Sequence, residues 1–250
     1  MSSAGRPVCF GIHAVTALLE HHHSVSALYI GASSSQRLAR LEQMARTRGI
    51  EVVRCERERL DRLSGYGTHQ GVVAEYESGK ANPPATLKDV MDGIETDTAL
   101  VLVLDHLHDP HNLGACLRTA ECAGVDAVIL PKRSACPVNH TVSKVASGAV
   151  EPLNIVSVSN IVNALDVLKR HEFWIYGTSE RGDAELYDVP FRGRIALVVG
   201  NEGKGMKRLV EKACDALVRI PVSGQVQSLN ASVATGICLY EIRRQFSLSR

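Results

Sequence analysis

The sequence lacks any long hydrophobic run, and this absence argues against a membrane-spanning protein. No stretch of about 18 consecutive apolar residues, the length of a membrane-spanning helix, occurs in the 250 residues. The first residues also lack the basic start and apolar centre of a signal peptide. Because 45% of the residues are hydrophobic, we expect a globular protein with a sizeable core, located in the cytoplasm.

An excess of charge and a paired cysteine motif are absent as well. The formal net charge is +1, so overall electrostatics gives no argument for nucleic-acid binding. Seven cysteines are scattered without a CxxC pair, which predicts reduced core or boundary thiols. Residues 1–78 contain nine Arg, no Lys and eight acids. Arginine suits phosphates and base edges, but a solvated helix face laced with Glu is the commoner meaning of this pattern.

Two blocks of alternating strands and helices are separated by a segment of different composition. Residues 1–78 predict a small α/β/α unit, and residues 79–98, with Pro, Gly and several acids, predict a linker. From residue 99 to 250, strands that are apolar on both faces alternate with helices. This predicts a parallel sheet covered on both sides. No internal repeat or low-complexity tract is present.

The common nucleotide-binding fingerprints are missing, although a glycine loop follows an apolar strand at residues 200–206, GNEGKGM. Lys204 is followed by Gly rather than Ser or Thr, the P-loop spacing is absent, and the glycine order is not GxGxxG. Glu202 would repel phosphate, but it can orient an arginine or accept a hydrogen bond from a ribose hydroxyl. The loop therefore predicts a nucleoside site without phosphates; a tight turn with a solvated Glu is the alternative.

A polar loop and a helix start follow the first strand of the second block, in the segment DPHNLGACLRT. Asn112 can cap the helix, and the long side chain of Arg118 leans back toward the helix start. A guanidinium there suits a phosphate or a developing alkoxide. The alternative is that Asn112 is only a cap and that Arg118 only pairs with Glu121 or Asp109.

The last loop brings polar residues to the start of the final helix. Ser228 and Asn230 stand there, with Ile220, Val222 and Leu229 as apolar neighbours. An adenine ring needs apolar walls and backbone hydrogen bonds, which such positions can supply. The alternative is that Ser228 is an N-cap and that the small residues after it permit close helix packing.

Three histidines, His106, His108 and His111, suggest a metal site beside Asp105 and Asp109. The spacing is poor, because residues 106 and 108 share a face only in an extended segment. No second cluster of His or Cys stands out. We therefore expect no metal.

Together, these segments resemble the three motifs of the SpoU (TrmH) family of S-adenosylmethionine-dependent RNA ribose 2'-O-methyltransferases. The first motif, NxGxxxRT, is met by Asn112, Gly114, Arg118 and Thr119. The second, GNEG, is met by residues 200–203, and the third, IPMxGxxxSLNxSxA, by residues 220–234 with Val where Met is common. Residues 1–78 resemble the small RNA-binding domain, similar to ribosomal protein L30e, that precedes the catalytic domain in many members.

The resemblance implies a fold and a set of partners. The fold is an α/β parallel-sheet domain with a deep trefoil knot, the SPOUT fold, behind the small α/β/α domain. The implied cofactor is S-adenosyl-L-methionine and the implied assembly is a homodimer. The implied substrate is 23S rRNA or its precursor, at a guanosine of the peptidyl-transferase P-loop. Methylation of transfer RNA or of another rRNA site, and a non-catalytic role in ribosome assembly, are the alternatives.

The resemblance also implies roles for individual residues. Arg118 would be the central catalytic residue, Asn112 and Glu202 would position it, and Ser228 with Asn230 would hold RNA or the arginine. The cofactor-binding residues would be Thr178, Gly200, Asn201, Gly203, Ile220, Val222 and Leu229.

Overall fold

A computed structural model describes residues 8–21, 25–32, 35–76, 86–201, 203–225 and 228–248. Glu202, which the sequence predicts to be a positioning residue, lies outside the described residues. The chain divides into two compact units, one of Met1–Pro84 with Ser147–Pro152 and one of Ala85–Ala146 with Leu153–Arg250. In the described part of the chain, no helix has the length and apolar character needed to cross a membrane.

The first unit is a four-stranded sheet with helices on both faces. Its elements are β1 (Val8–Phe10), α1 (Ile12–His21), β2 (Val25–Ile30), α2 (Gln36–Thr47), β3 (Glu51–Arg54), α3 (Arg57–Leu63) and β4 (Val72–Tyr76). The strand order is β1-β4-β2-β3, and only β2 and β3 are parallel. Leu18 and Leu41 bring α1 and α2 onto one face, and Leu60 brings α3 onto the other. This is the α/β/α layering that the sequence predicts, with β1 as an additional edge strand.

The second unit is built on a seven-stranded sheet. Its first elements are α4 (Leu87–Asp92), β5 (Ala99–Leu104), α5 (Pro110–Cys122), β6 (Ala127–Pro131), α6 (His140–Ala146), β7 (Ile155–Val158) and α7 (Ile161–Arg170). Its remaining elements are β8 (Phe173–Thr178), β9 (Ala184–Glu185), β10 (Arg194–Val199), α8 (Arg208–Ala213), β11 (Ala216–Arg219) and α9 (Ala231–Leu248). The helix α4 lies inside the segment that the sequence predicts to be a linker, and its Leu87 and Met91 are buried in the core of this unit.

Every strand pair described in this sheet is parallel, in the order β7-β6-β5-β10-β8-β11-β9. All six residues of β5 are buried, as expected for a central strand covered on both faces. Because β5, β10, β8 and β11 are neighbours and run in the same direction, the loops at their carboxyl ends lie along one edge of the sheet. Ligand sites of open parallel sheets form at that edge.

The start of α5 differs from the sequence-based prediction. Its N-cap is Asp109, whose carboxylate accepts a hydrogen bond from the His111 amide at 2.9 Å, and Pro110 takes the first helical position. Proline at the first position and a preceding Asp cap are both favourable at a helix start. The prediction that Asn112 caps this helix is therefore wrong.

The start of α9 also lies later than expected. The helix begins at Ala231, and the Asn230 side-chain oxygen accepts a hydrogen bond from the Ser232 amide at 2.9 Å. Asn230 thus satisfies a free amide of the first turn. The alternative that Ser228 is the N-cap is wrong.

The seven cysteines are all free thiols, as their spacing predicts. Burial raises the pKa of the Cys9, Cys214 and Cys238 thiols to about 12. These three side chains therefore remain protonated at neutral pH and behave as small apolar residues rather than as nucleophiles.

Candidate cofactor and active site

A cavity of about 860 Å³ opens at the carboxyl edge of the sheet in the second unit. Its walls come from the loops that follow β8, β10 and β11 and from the first turn of α9. Its size suits a nucleoside-sized ligand. All seven residues predicted to bind the cofactor line this one cavity: Thr178, Gly200, Asn201, Gly203, Ile220, Val222 and Leu229.

The chemistry of the cavity favours a nucleoside without phosphates. The described lining residues include three acids and three bases, so no excess of positive charge is present to hold a polyphosphate. They are Glu180, Glu185, Glu211, Arg181, Lys204 and Arg219. Arg219 is already paired with Glu185 at 3.0 Å and donates to the Gly182 carbonyl at 2.9 Å. Ile220, Leu229 and Met206 supply apolar wall.

The glycine loop between β10 and α8 is a closed ring of backbone. Asn201 and Gly205 exchange two backbone hydrogen bonds of 3.0 and 2.9 Å, and the Asn201 side-chain oxygen accepts from the Gly203 amide at 3.0 Å. A Cβ atom added at Gly200 would lie 2.2 Å from the Met206 nitrogen. The residue at this position must therefore be glycine for the ring to close.

Both ends of this loop are fastened to the residues that follow β5. The Asp105 carboxylate is fully buried; one oxygen accepts from the Lys207 amide at 2.7 Å, and the other bonds the His106 ring at Nδ1. The Lys207 Nζ atom lies 2.6 Å from His106 Nε2, and Asn201 donates to the His106 carbonyl at 3.1 Å. Because the lysine ammonium can only donate, His106 Nε2 is the acceptor. Nδ1 therefore carries the hydrogen and donates a hydrogen bond to the Asp105 carboxylate. We call Asp105, His106 and Lys207 the loop clasp.

The loop clasp gives a prediction for cofactor binding. We expect His106→Asn to raise the dissociation constant for S-adenosylmethionine about 10-fold, the effect of losing a hydrogen-bond link to charged groups. Asparagine tolerates the backbone φ of 63° found at His106, so the backbone remains intact. Isothermal calorimetry measures the change. His108→Asn is the matched control, because His108 is exposed in the same loop; equal affinities of the two variants would contradict the prediction.

The structure brings two of the predicted catalytic residues into direct contact. The Asn230 Nδ2 atom donates to Asn112 Oδ1 at 2.9 Å, which joins the start of α9 to the first turn of α5. Gly114 permits α6 to approach α5 on another side, since a Cβ there would lie 2.8 Å from the Val142 carbonyl. The Asn112–Asn230 bond therefore ties the first motif of the sequence to the third.

Arg118 and Ser228 are placed differently with respect to the cavity. Ser228 lines the cavity, whereas Arg118 is exposed on α5 and is not among the described lining residues. The alternative pairing of Arg118 with Glu121 or Asp109 is not formed in the structure. The exposed guanidinium of Arg118 forms no ion pair with any residue that the structure describes.

Sequence reasoning missed the loop clasp and the Arg219–Glu185 pair. One signal was available, because Asp105 directly follows a strand without polar residues, where a carboxylate needs a partner. The partner itself could not be found, since Lys207 lies 102 residues further along the chain.

Two family models match the two parts of the chain. The model of the SpoU rRNA Methylase family matches residues 99–240, and the model of RNA 2'-O ribose methyltransferase substrate binding matches residues 8–80. The 23S rRNA (guanosine-2'-O-)-methyltransferase RlmB of Ralstonia nicotianae is 44% identical over 240 residues, covering 95% of each chain. RlmB of Pseudomonas aeruginosa is 44% identical over 238 residues, covering 94% of this chain and 95% of the relative.

Solved structures confirm the predicted fold class. The SpoU methyltransferase AviRb from Streptomyces viridochromogenes superposes with a TM-score of 0.81 at 26% identity, covering 99% of this chain and 92% of its own. A TrmH-family RNA methyltransferase structure from Porphyromonas gingivalis gives a TM-score of 0.73 at 27% identity, with coverage of 95% and 89%. The family model spans more than half of the chain and the relatives span nearly all of it, so this protein belongs to the SpoU rRNA methylase family.

Proposed function

We propose that this protein transfers a methyl group from S-adenosylmethionine to the ribose 2'-hydroxyl of a guanosine in 23S rRNA. The observation that carries the proposal is the cavity at the carboxyl edge of the sheet, where all the predicted cofactor residues meet. The relatives named for this reaction on 23S rRNA match along nearly the whole chain. This chain matches those relatives over nearly their whole length, and both family models match it. These matches favour the same class of substrate.

The cavity suits S-adenosylmethionine in volume and in charge. The cofactor supplies an electrophilic methyl group on a sulfonium. Apolar walls at Ile220 and Leu229 suit a purine ring, and the loop after Gly200 lines the same cavity. The balanced charges of the lining residues suit a ligand that carries an ammonium, a carboxylate and a sulfonium but no phosphate.

Arg118 is the residue that we assign to the reacting hydroxyl. A guanidinium keeps its proton at neutral pH, so it cannot act as a general base. It can stabilise the alkoxide that develops as the ribose oxygen attacks, and it can hold the adjacent RNA phosphate. The proton then passes to that phosphate or to solvent. Asn112 acts as a positioning residue, since its bond to Asn230 at 2.9 Å fixes the start of α5.

The proposed function also assigns roles to the two domains and to a second copy of the chain. The first unit, with a domain boundary within residues 79–98, holds the RNA, and the catalytic domain follows from residue 99. A second copy of the chain covers the outer face of α9, where Val233 and Tyr240 are half exposed, at 50% and 53%. These residues are seven apart and therefore share one helix face.

Methyl transfer to defined RNA tests the proposed function. Purified protein is incubated with labelled S-adenosylmethionine and 23S rRNA from a strain whose own copy of this gene is deleted. We expect label in that RNA, and mapping of 2'-O-methyl groups places it on one guanosine. The same rRNA from the parent strain is already methylated and serves as the control. Label in transfer RNA alone, or no label in any RNA, would overturn the proposal.

A further inference from the structure

The loop between α3 and β4 in the first unit holds a tyrosine ring out in solvent. Tyr66 is 82% exposed, more than any other large hydrophobic side chain in the described residues. Its backbone φ is 62°, a left-handed conformation that is unfavourable for a bulky residue. Strained residues of this kind persist where the surrounding structure fixes them, and they cluster at ligand contacts.

Buried polar side chains fix this loop. The Tyr66 amide donates to the Asp61 carbonyl at 2.7 Å, and the Ser64 hydroxyl donates to the same carbonyl at 3.2 Å. His69 is 7% exposed; its Nδ1 accepts from the Gly71 amide at 3.0 Å, so its Nε2 donates to the Asp61 carboxylate, also at 3.0 Å. These hydrogen bonds therefore hold the backbone of the loop in the conformation that exposes the Tyr66 ring.

The helix that leads into the loop supplies positive charge. α3 has the sequence RERLDRL, with three arginines and two acids, and the Asp61 carboxylate is engaged by His69. Arg57 and Arg62 are exposed, and neither forms an ion pair with any residue that the structure describes. Arg62 lies in the last turn of α3, four residues before Tyr66 in the sequence.

We propose that Tyr66 stacks on an unpaired base of the RNA substrate while Arg62 contacts the neighbouring phosphate. The inference rests on the proposed function, because it names a contact of the same substrate on the first unit. RNA loops are recognised by bases stacked on exposed aromatic rings, with arginines along the backbone. The matched substrate-binding region, residues 8–80, includes this loop, which favours RNA over a protein as the occupant.

Three substitutions of Tyr66 separate stacking from a structural role. We expect Tyr66→Ala and Tyr66→Gly to weaken binding of the full-length protein to an unmethylated 23S rRNA transcript about 10-fold, the loss of one stacked base. Tyr66→Phe keeps the ring and stays within about 2-fold of wild type. Glycine accepts a positive φ without strain, so Tyr66→Gly has a thermal midpoint equal to or above that of wild type. Filter binding at fixed salt and calorimetric melting give both quantities.

A control variant and the binding and methylation of the transcript distinguish failure of base stacking from failure of the proposed function. Thr68→Ala, an exposed change in the same loop, keeps wild-type affinity. Wild-type affinity in Tyr66→Ala, a loss in Tyr66→Phe as large as in Tyr66→Ala, or a lower midpoint in Tyr66→Gly would each overturn the stacking inference alone. Binding of the transcript by wild type without methyl transfer overturns the proposed function alone. No binding of the transcript by wild type overturns both.

Discussion

Arg118→Ala is expected to reduce kcat for RNA methylation about 1,000-fold, the upper range for loss of one group that stabilises a developing oxyanion. The dissociation constant for S-adenosylmethionine should stay unchanged, because Arg118 is not among the described residues that line the cofactor cavity. The fold should also persist, since the side chain is exposed and has no ion pair with Glu121 or Asp109. Steady-state methyl transfer at saturating RNA and calorimetric titration of the cofactor measure the two quantities.

Arg118→Lys separates the shape of the group from its charge. A lysine keeps the positive charge but lacks the planar fork that binds a phosphate and an alkoxide together, so we expect most of the activity to be lost. Arg170→Ala, an exposed change at the end of α7, is the control and should behave as wild type. Activity of Arg118→Lys near the wild-type level would remove any role that needs a guanidinium, and loss of cofactor binding in Arg118→Ala would contradict the division of roles.

The fold and the cavity walls could be predicted because their signals are local in the sequence. β5 and β10 are apolar on both faces, which indicates a covered parallel sheet, and loops after such strands share an edge regardless of the side-chain details. The seven residues predicted to bind the cofactor are implied by the resemblance to the family. Gly200 and Leu229 thus fall on one cavity even though they come from different loops.

Contacts that depend on side-chain competition could not be predicted. Asn112 and Asp109 are both good caps by type, and the structure shows that Asp109 takes the cap because Pro110 sets the first helical position one residue later. The Asn112 side-chain oxygen instead accepts a hydrogen bond from the Asn230 side-chain amide. Likewise, nothing near Asp105 in the sequence indicates that its partner is the Lys207 amide.

Gly200→Ala is expected to abolish methyl transfer through the cofactor loop rather than through the reacting groups. The added Cβ would lie 2.2 Å from the Met206 nitrogen and 2.3 Å from the Gly205 carbonyl carbon, and backbone atoms cannot rotate away as a side chain can. The ring that Asn201 and Gly205 close must therefore open. We expect the affinity for S-adenosylmethionine to fall at least about 100-fold and the free energy of unfolding to fall by about 2 kcal/mol, a typical cost of overpacking.

Gly224→Ala is the matched control, because Gly224 lines the same cavity and an added Cβ there meets no atom of the described residues within 4 Å. It should keep the cofactor affinity within about 2-fold and the wild-type stability, since a glycine without steric demand tolerates alanine. Calorimetry measures the cofactor affinity of both variants, and urea unfolding measures their free energy of unfolding. If Gly200→Ala binds the cofactor as tightly as Gly224→Ala does, the closed loop after β10 is not what holds the ligand, and the site must be sought along another wall of the cavity.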